Sequence, residues 1–339
     1  MRALSVSEPW GFDQITVVET PDPTPGHGEV LVRMRAVSLN YRDMLMVMGM
    51  YARGPATAGG AITPFSDGCG IVEAVGPGVT RVKPGDRVAT LFFQAWDAGP
   101  PTLAKLSSAL GFPIPGAGTE LGVFSQFGVS KVPDFLSDQQ VATLPCAALT
   151  AWRALFEDGD LRPGDTVVLQ GTGGVSVFGL QFAHAAGYQT VITSSSAEKL
   201  ARAKALGADH LVNYKETPEW SKPVREATGG VGADMIIEVG GGGTIEQSMR
   251  AIKIGGHIAI VGVVAGMGGN FNPASLISNS AKLQGLSVGS REMFEAMCRA
   301  IELHGIQPVV DKVFAWTEVA QAFAAMQGGQ HFGKIVLQF

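Results

Sequence analysis

Up to about residue 130 the apolar positions fall in short, β-rich runs, Ile15–Glu19, Glu29–Val37, Gly70–Val75, Arg87–Phe92 and Gly122–Val132. Pro21-Asp-Pro23, Gly76-Pro-Gly78 and Lys83-Pro-Gly-Asp86 punctuate them with turn chemistry. Regular spacing of this kind predicts a small barrel or sandwich, with one helix over Asn40–Met50. Residues 94–118, rich in Pro and Gly around a helical piece at Thr102–Leu110, read as an excursion long enough to be a functional lid or lobe.

From about residue 139 the period changes. Gln139–Phe156 reads as a helix broken by Pro145, and after it strands alternate with helices. Strands are predicted from Thr166 and at Thr190–Thr193, His210–Asn213, Asp234–Val239, His257–Val261 and Lys282–Val288. Helices are predicted at Val175–Ala186, Ala197–Leu206 and Thr244–Ile252. Uninterrupted apolar strands between helices predict an α/β unit with a parallel sheet covered on both faces. The tail, with helices at Glu292–His304 and Val319–Gln327 and a strand at Lys334–Phe339, returns to the first unit.

Composition narrows the function. The 339 residues are 46% hydrophobic and 16% charged, with 45 Gly, which suits two globular domains. A net charge of −5 speaks against a nucleic-acid partner. The start lacks the apolar core of a signal peptide, and no apolar stretch is long enough to span a bilayer, so no membrane role is expected. Three scattered cysteines, Cys69, Cys146 and Cys298, suit reduced thiols in the cytoplasm.

The glycine has a local focus. Gly171-Thr172-Gly173-Gly174-Val175-Ser176 follows a strand and opens a helix, the setting of a dinucleotide fingerprint. There Gly171 allows the tight turn, Gly173 lets a pyrophosphate approach the backbone, and the helix N-terminus offers N–H groups to the anion. Ser176 replaces the last glycine of the strict pattern. The second strand ends on Ser194-Ser-Ser196, with Lys199 one turn on, where an NAD site usually carries an acid. Serines and a lysine suit the 2′-phosphate of NADP(H) instead; the serines also suit a helix cap, and both readings stand together.

Ser38-Leu-Asn-Tyr-Arg-Asp43, Gly70-Ile-Val-Glu-Ala-Val-Gly76, Val82-Lys-Pro-Gly-Asp-Arg-Val88, Gln170–Ser176, Ala205-Leu-Gly-Ala-Asp209 and Gly333-Lys-Ile-Val336 carry a resemblance along nearly the whole chain. It resembles the medium-chain dehydrogenase/reductase superfamily, and within it the zinc-free quinone oxidoreductase-like branch. The resemblance implies a GroES-like β-barrel catalytic domain over 1–138 and 290–339 and a Rossmann domain over 139–289. It implies Thr150, Val239, Gly240, Gly262 and Val263 at the nicotinamide, with Gly289 and Ser290 closing the crevice. Tyr214 corresponds to a residue at the 2′-phosphate and Lys334 to one that reaches the cofactor phosphates. Zinc members place ligands where Asn40, Ser66 and Cys146 stand here, so one of three is kept and no metal is expected. A homodimer through the Lys282–Val288 edge is the family expectation.

Without zinc, a hydrogen-bond donor must polarise the acceptor, and Asn40 and Tyr51 are the candidate catalytic groups. Tyr41, Phe92, Phe93 and Trp96 are the candidate wall for a bulky small-molecule substrate. Asp43 is expected to hold its own segment, with Arg42 as its ion partner or solvated. The expected activity is NADPH-dependent hydride transfer to a quinone, enone or other activated carbonyl compound. A metal-free alcohol dehydrogenase is the alternative within enzymes, and a non-catalytic nucleotide-binding protein the alternative outside them.

Overall fold

The computed structural model describes residues 1–50, 60–269 and 271–339. They divide into two compact units, Met1–Leu149 with Val288–Phe339, and Thr150–Ser287. The C-terminal return expected from the sequence is thus present. Residues 139–149 fold with the first unit rather than the second.

The first unit is built on the ten-residue strand Glu29–Ser38. Its alternation leaves Arg33 and Arg35 outside and Val30, Val32, Met34 and Ala36 inside, as a half-buried strand requires. On one side it pairs antiparallel with Asp67–Val75 along its length. Its other side is shared, Leu121–Ser125 taking Glu29–Arg33 and Lys334–Gln338 taking Ala36–Ser38. Arg87–Thr90, Val129–Lys131 and Val310–Ala315 complete the sheet, and Arg2–Ser5 with Thr16–Glu19 makes a separate ribbon. The run expected as one strand over Gly122–Val132 is two, because Gly128 turns the chain and its N–H bonds the carbonyl of Ser125 at 2.9 Å.

Helix Tyr41–Val47 starts on a reciprocal cap. Asn40 receives the N–H of Asp43 in its first turn, and the Asp43 carboxylate accepts the Asn40 N–H at 2.8 Å. The helix expected over Gln139–Phe156 is interrupted. Asp138–Val141 is helical, Leu144–Ala148 and Arg153–Glu157 are wide π-type turns, and Leu149–Trp152 is helical between them. Pro145 lies in the first of those turns, where its missing N–H and its ring disfavour a tighter helix.

The second unit is a six-stranded parallel sheet in the order His210–Asn213, Gln189–Ser194, Thr166–Leu169, Ala233–Glu238, Ile252–Ile260, Lys282–Gly285. The direction of travel reverses between Thr166–Leu169 and Ala233–Glu238, and ligands of such sheets bind beyond the strand ends at that switch. Val168, Val191, Ile236 and Ile258 are fully buried along the sheet, each contributing about 1.5–3 kcal/mol. Among the described residues no helix is long and apolar enough to cross a membrane.

His257 is the misfit of this core. It lies on Ile252–Ile260, is buried, and its Nε2 has no partner. Burial and the neighbouring Lys282 ammonium hold its pKa down to about 4 against an ordinary 6.5, opposed by Asp158. Below pH 6.5 the unfolded chain therefore takes up a proton that the folded chain refuses until about pH 4. The stability of the neutral ring is present above that window and is lost as the pH falls through it, at up to about 1.4 kcal/mol per pH unit. His257→Gln should flatten the fall in unfolding free energy between pH 6.5 and 4 relative to wild type, read from paired urea-unfolding series. Equal slopes would show that the ring is not held neutral.

Candidate functional site

In the second unit the predicted cofactor residues gather beyond the carboxyl ends of the parallel strands. Gly171–Val175 follows Thr166–Leu169, Ser194 ends Gln189–Ser194, and Tyr214 follows His210–Asn213. Val239 and Gly240 follow Ala233–Glu238, and Gly262 and Val263 come after Ile252–Ile260. Gly171 has φ +72°, a left-handed conformation that L side chains resist, and its N–H donates to Thr193 Oγ1 at 3.1 Å. Gly173 has an ordinary φ of −78°, yet a Cβ there would meet nothing within 4 Å. The backbone at the start of helix Gly174–Ala185 is thus open to whatever approaches it. A dinucleotide fits this cradle, whose exposed face is peptide rather than side chain.

Ser176, the irregular position, is buried and donates to the Gln170 carbonyl at 2.6 Å, so its hydroxyl fastens helix to strand. Close helix–strand approach occurs one turn later at Gly179, where a Cβ would come within 2.8 Å of Leu169.

The serines divide their duties. Ser194 is buried and its Oγ accepts the Ser196 N–H at 3.3 Å, while Ser196 caps the helix by accepting the Lys199 N–H at 3.3 Å. Ser195 and Lys199 are both half-buried. Tyr214 bonds the Ser194 carbonyl through its N–H at 3.1 Å and is 40% exposed. Thr150 is buried in the same unit.

Sequence reasoning missed a buried polar cluster at the switch point. Glu238 is fully buried, and its carboxylate accepts from the N–H groups of Gly240 and Gly241 at 2.8 and 2.9 Å, from Gln170 Nε2 at 2.6 Å, and from the hydroxyls of Thr244 and Ser248. Its only local trace in the sequence is one acid closing the apolar run Met235-Ile-Ile-Glu238.

In the first unit a second buried cluster joins Asn40, Ser66, Asp67, Cys146 and Lys334. Lys334 Nζ donates to the Leu39 carbonyl and to Asn40 Oδ1, both at 2.6 Å. Asn40 Nδ2 donates to Ser66 Oγ at 3.3 Å, Ser66 to Asp67 Oδ1 at 2.8 Å, and the Cys146 N–H to Asp67 Oδ2 at 3.0 Å. Burial pushes the Asp67 carboxyl up, and Lys334 and its hydrogen bonds pull it back. Asp43, also fully buried, is pushed up to about 6 by burial against the pull of Arg42. Burial raises the Cys146 and Cys69 thiols well above their ordinary range and Cys298 to about 12.

The structure gives the remaining candidates these places. Lys334 is 4% exposed, its ammonium bonded to the Leu39 carbonyl and Asn40 Oδ1, and its charge lowers the buried Asp67 and Asp43 carboxyls. Ser290 spends its hydroxyl capping helix Arg291–His304, accepting the Met293 N–H at 3.3 Å, and with Gly289 it folds in the first unit. Arg42 is half-buried, and its charge lowers the Asp43 carboxyl; it also donates to the carbonyls of Leu110 and Phe112 and lies 4.6 Å over the Phe92 ring. Phe92, Phe93 and Trp96 are buried, with Phe93 stacked obliquely on Trp96 at 5.5 Å, so they hold the excursion to the barrel. Tyr41 is half-buried against the barrel core. Tyr51 lies outside the described residues.

The donor set does not fit zinc. Asn40 and Ser66 are amide and hydroxyl where Cys and His are preferred, and both already bond within the chain. Among the described residues no three His, Cys, Asp or Glu side chains are placed to hold a metal.

A parallel sheet with an open glycine loop at its switch, joined to a β-barrel unit, defines a nucleotide-binding oxidoreductase architecture. The family models of an alcohol dehydrogenase GroES-like domain and of a zinc-binding dehydrogenase match residues 26–134 and 174–302. A zinc-type alcohol dehydrogenase-like protein of Schizosaccharomyces pombe, C1773.06c, is 42% identical over 100% of this chain and 99% of its own. A solved NAD-dependent alcohol dehydrogenase is 32% identical with TM-score 0.91, and mycobacterial Rv1454c, complexed with NADPH, is 27% identical with TM-score 0.84; each comparison covers 100% of both chains. The chain belongs to the medium-chain dehydrogenase/reductase superfamily. It is an oxidoreductase of that superfamily, similar to alcohol dehydrogenases and to nicotinamide-dependent relatives.

Removing the cation should expose what the first cluster depends on. Lys334→Met should lower the unfolding free energy by about 3–5 kcal/mol at pH 8, since it leaves buried carboxylates uncompensated. At pH 5 the loss should be smaller, because Asp43 is then protonated. Urea unfolding at the two pH values reads this; an equal loss at both would show that the ammonium does not serve the acids.

Proposed function

We propose that this protein is a zinc-independent, NADPH-dependent reductase that transfers hydride to a quinone, enone or other activated carbonyl compound. The observation that carries the zinc-independent part is the Lys334–Asn40–Ser66–Asp67 string, which stands where the resemblance puts a metal's ligands. When bound, NADPH supplies the hydride. Gly171–Val175 receives the pyrophosphate on backbone N–H groups, with Gly173 giving it room. We assign Ser195, Lys199 and Tyr214 to the 2′-phosphate, because the second strand ends on Ser194 where an NAD site usually carries an acid. Thr150, Val239, Gly240, Gly262 and Val263 receive the nicotinamide end.

The substrate class follows from charge. Hydride added to an activated acceptor leaves its negative charge delocalised onto oxygen, so a neutral donor and a solvent proton complete the reduction. A simple ketone concentrates that charge on one oxygen and needs a stronger electrophile. The NAD-dependent alcohol dehydrogenase neighbour favours the competing reading, a metal-free alcohol dehydrogenase.

Three measurements separate these readings. Fluorescence titration should show tighter binding of NADPH than NADH; equal or reversed affinities would remove the Ser195–Lys199 assignment. With EDTA present, NADPH should be consumed with an enone or quinone and not with simple ketones. Turnover of simple alcohols alone would favour the dehydrogenase, and binding without turnover across the panel a non-catalytic protein. Gly173→Ala, with ordinary φ and open space around the new Cβ, should leave the melting temperature unchanged while weakening NADPH binding on the order of tenfold.

A further inference from the structure

Gln170 directly follows Thr166–Leu169 and Glu238 ends Ala233–Glu238, the two strands that flank the switch point. Leu169 and Ile237 are paired in register, so the next residue of each strand faces the other. Gln170 leads directly into Gly171, and Glu238 into Val239 and Gly240. The Glu238 carboxylate accepts from five donors, while Gln170 Oε1 accepts the N–H groups of Val239 and Gly240 at 3.1 and 3.2 Å. The loop so held carries another, as Val264 and Ala265 donate to the carbonyls of Val239 and Gly240 at 3.0 and 2.8 Å. The Gln170 carbonyl meanwhile receives the Ser176 hydroxyl of the dinucleotide helix.

We infer that the Gln170–Glu238 pair is a positioning device for the dinucleotide: it fixes the glycine loop and the Val239–Ala265 strand-end loops before the cofactor arrives. The inference rests on the dinucleotide reading of Gly171–Val175. A carboxylate is required because every group around it offers a proton. In Glu238→Gln the new amide NH2 faces either Gln170 Nε2 or the Gly240 and Gly241 N–H groups, and turning Gln170 over only moves the clash to Val239. In Gln170→Glu two buried carboxylates face each other. In the exchange Gln170→Glu/Glu238→Gln every bond is remade. The carboxylate now at position 170 accepts from Val239, Gly240, Ser248 and the new amide, and the amide at position 238 keeps an oxygen toward Gly240, Gly241 and Thr244. Composition and net charge are unchanged.

The test measures NADPH dissociation constants by fluorescence, with far-ultraviolet circular dichroism and melting temperature, for wild type, the two single variants and the exchange. Each single variant should bind NADPH on the order of tenfold more weakly, the scale of one lost buried hydrogen bond. The exchange should return to within about twofold of wild type. KM for NADPH should rise in the single variants with KM for the acceptor little changed. Single variants that melt earlier yet bind as tightly as wild type would make the pair merely structural and overturn the inference. A folded exchange variant as weak as the single ones would overturn it too. A wild type that binds neither NADPH nor NADH would overturn the dinucleotide reading, and this inference with it.

Discussion

A carboxylate carried into dry protein must be met by donors or by a cation, and both units are organised around that requirement. In the second unit Glu238 is met by donors alone, and satisfying it dictates the path of the chain from Val239 to Thr244. In the first unit Asp67 is met by Ser66, by the Cys146 N–H and by the nearby ammonium of Lys334, which also sets the orientation of the Asn40 amide. Neither arrangement tolerates piecemeal change, because removing one partner leaves another buried group without its bond.

The framework was legible because sheet burial leaves a strong trace. The second unit's central strands, Thr166–Leu169 and Ala233–Glu238, read as apolar runs, and at the edge His210–Asn213 also comes out with the predicted bounds, as does helix Val319–Gln327 of the first unit. Elements without that trace were missed. Strand Val310–Ala315 is half-exposed along its length, and helix Ser221–Ala227 carries Pro223 in its first turn. Strand Ile252–Ile260 starts earlier than expected because Gly255 and Gly256 read as a break, although Gly255 simply adopts φ +77° within it.

The candidate site was legible where backbone conformation demands a residue type and opaque where side chains meet across distance. Gly171 and Gly173 announce the loop locally. Gln170 and Glu238 are 68 residues apart, so only the sheet order reveals that they touch. Lys334 is another case, a residue whose local motif gives no sign of the polar cluster into which tertiary register brings it. Its strand pairs beside Ala36–Ser38, and Leu39 N–H bonds the Ile335 carbonyl at 3.0 Å, which brings the ammonium to the Leu39 carbonyl and Asn40.

These placements bear on what kind of chemistry the proposed activity requires of the protein. Burial keeps Cys69, Cys146 and Cys298 as thiols, so none is a ready nucleophile. Both oxygens of Asp67 and of Glu238 accept hydrogen bonds within the protein, and Lys334 is bonded to Leu39 and Asn40. A reaction run with groups so committed gains little from proton transfer to or from a strong acid. It gains from holding the hydride donor in one orientation against an acceptor that stabilises its own charge. That places the demand on the strand-end loops of the second unit, and so on the carboxylate that fixes them.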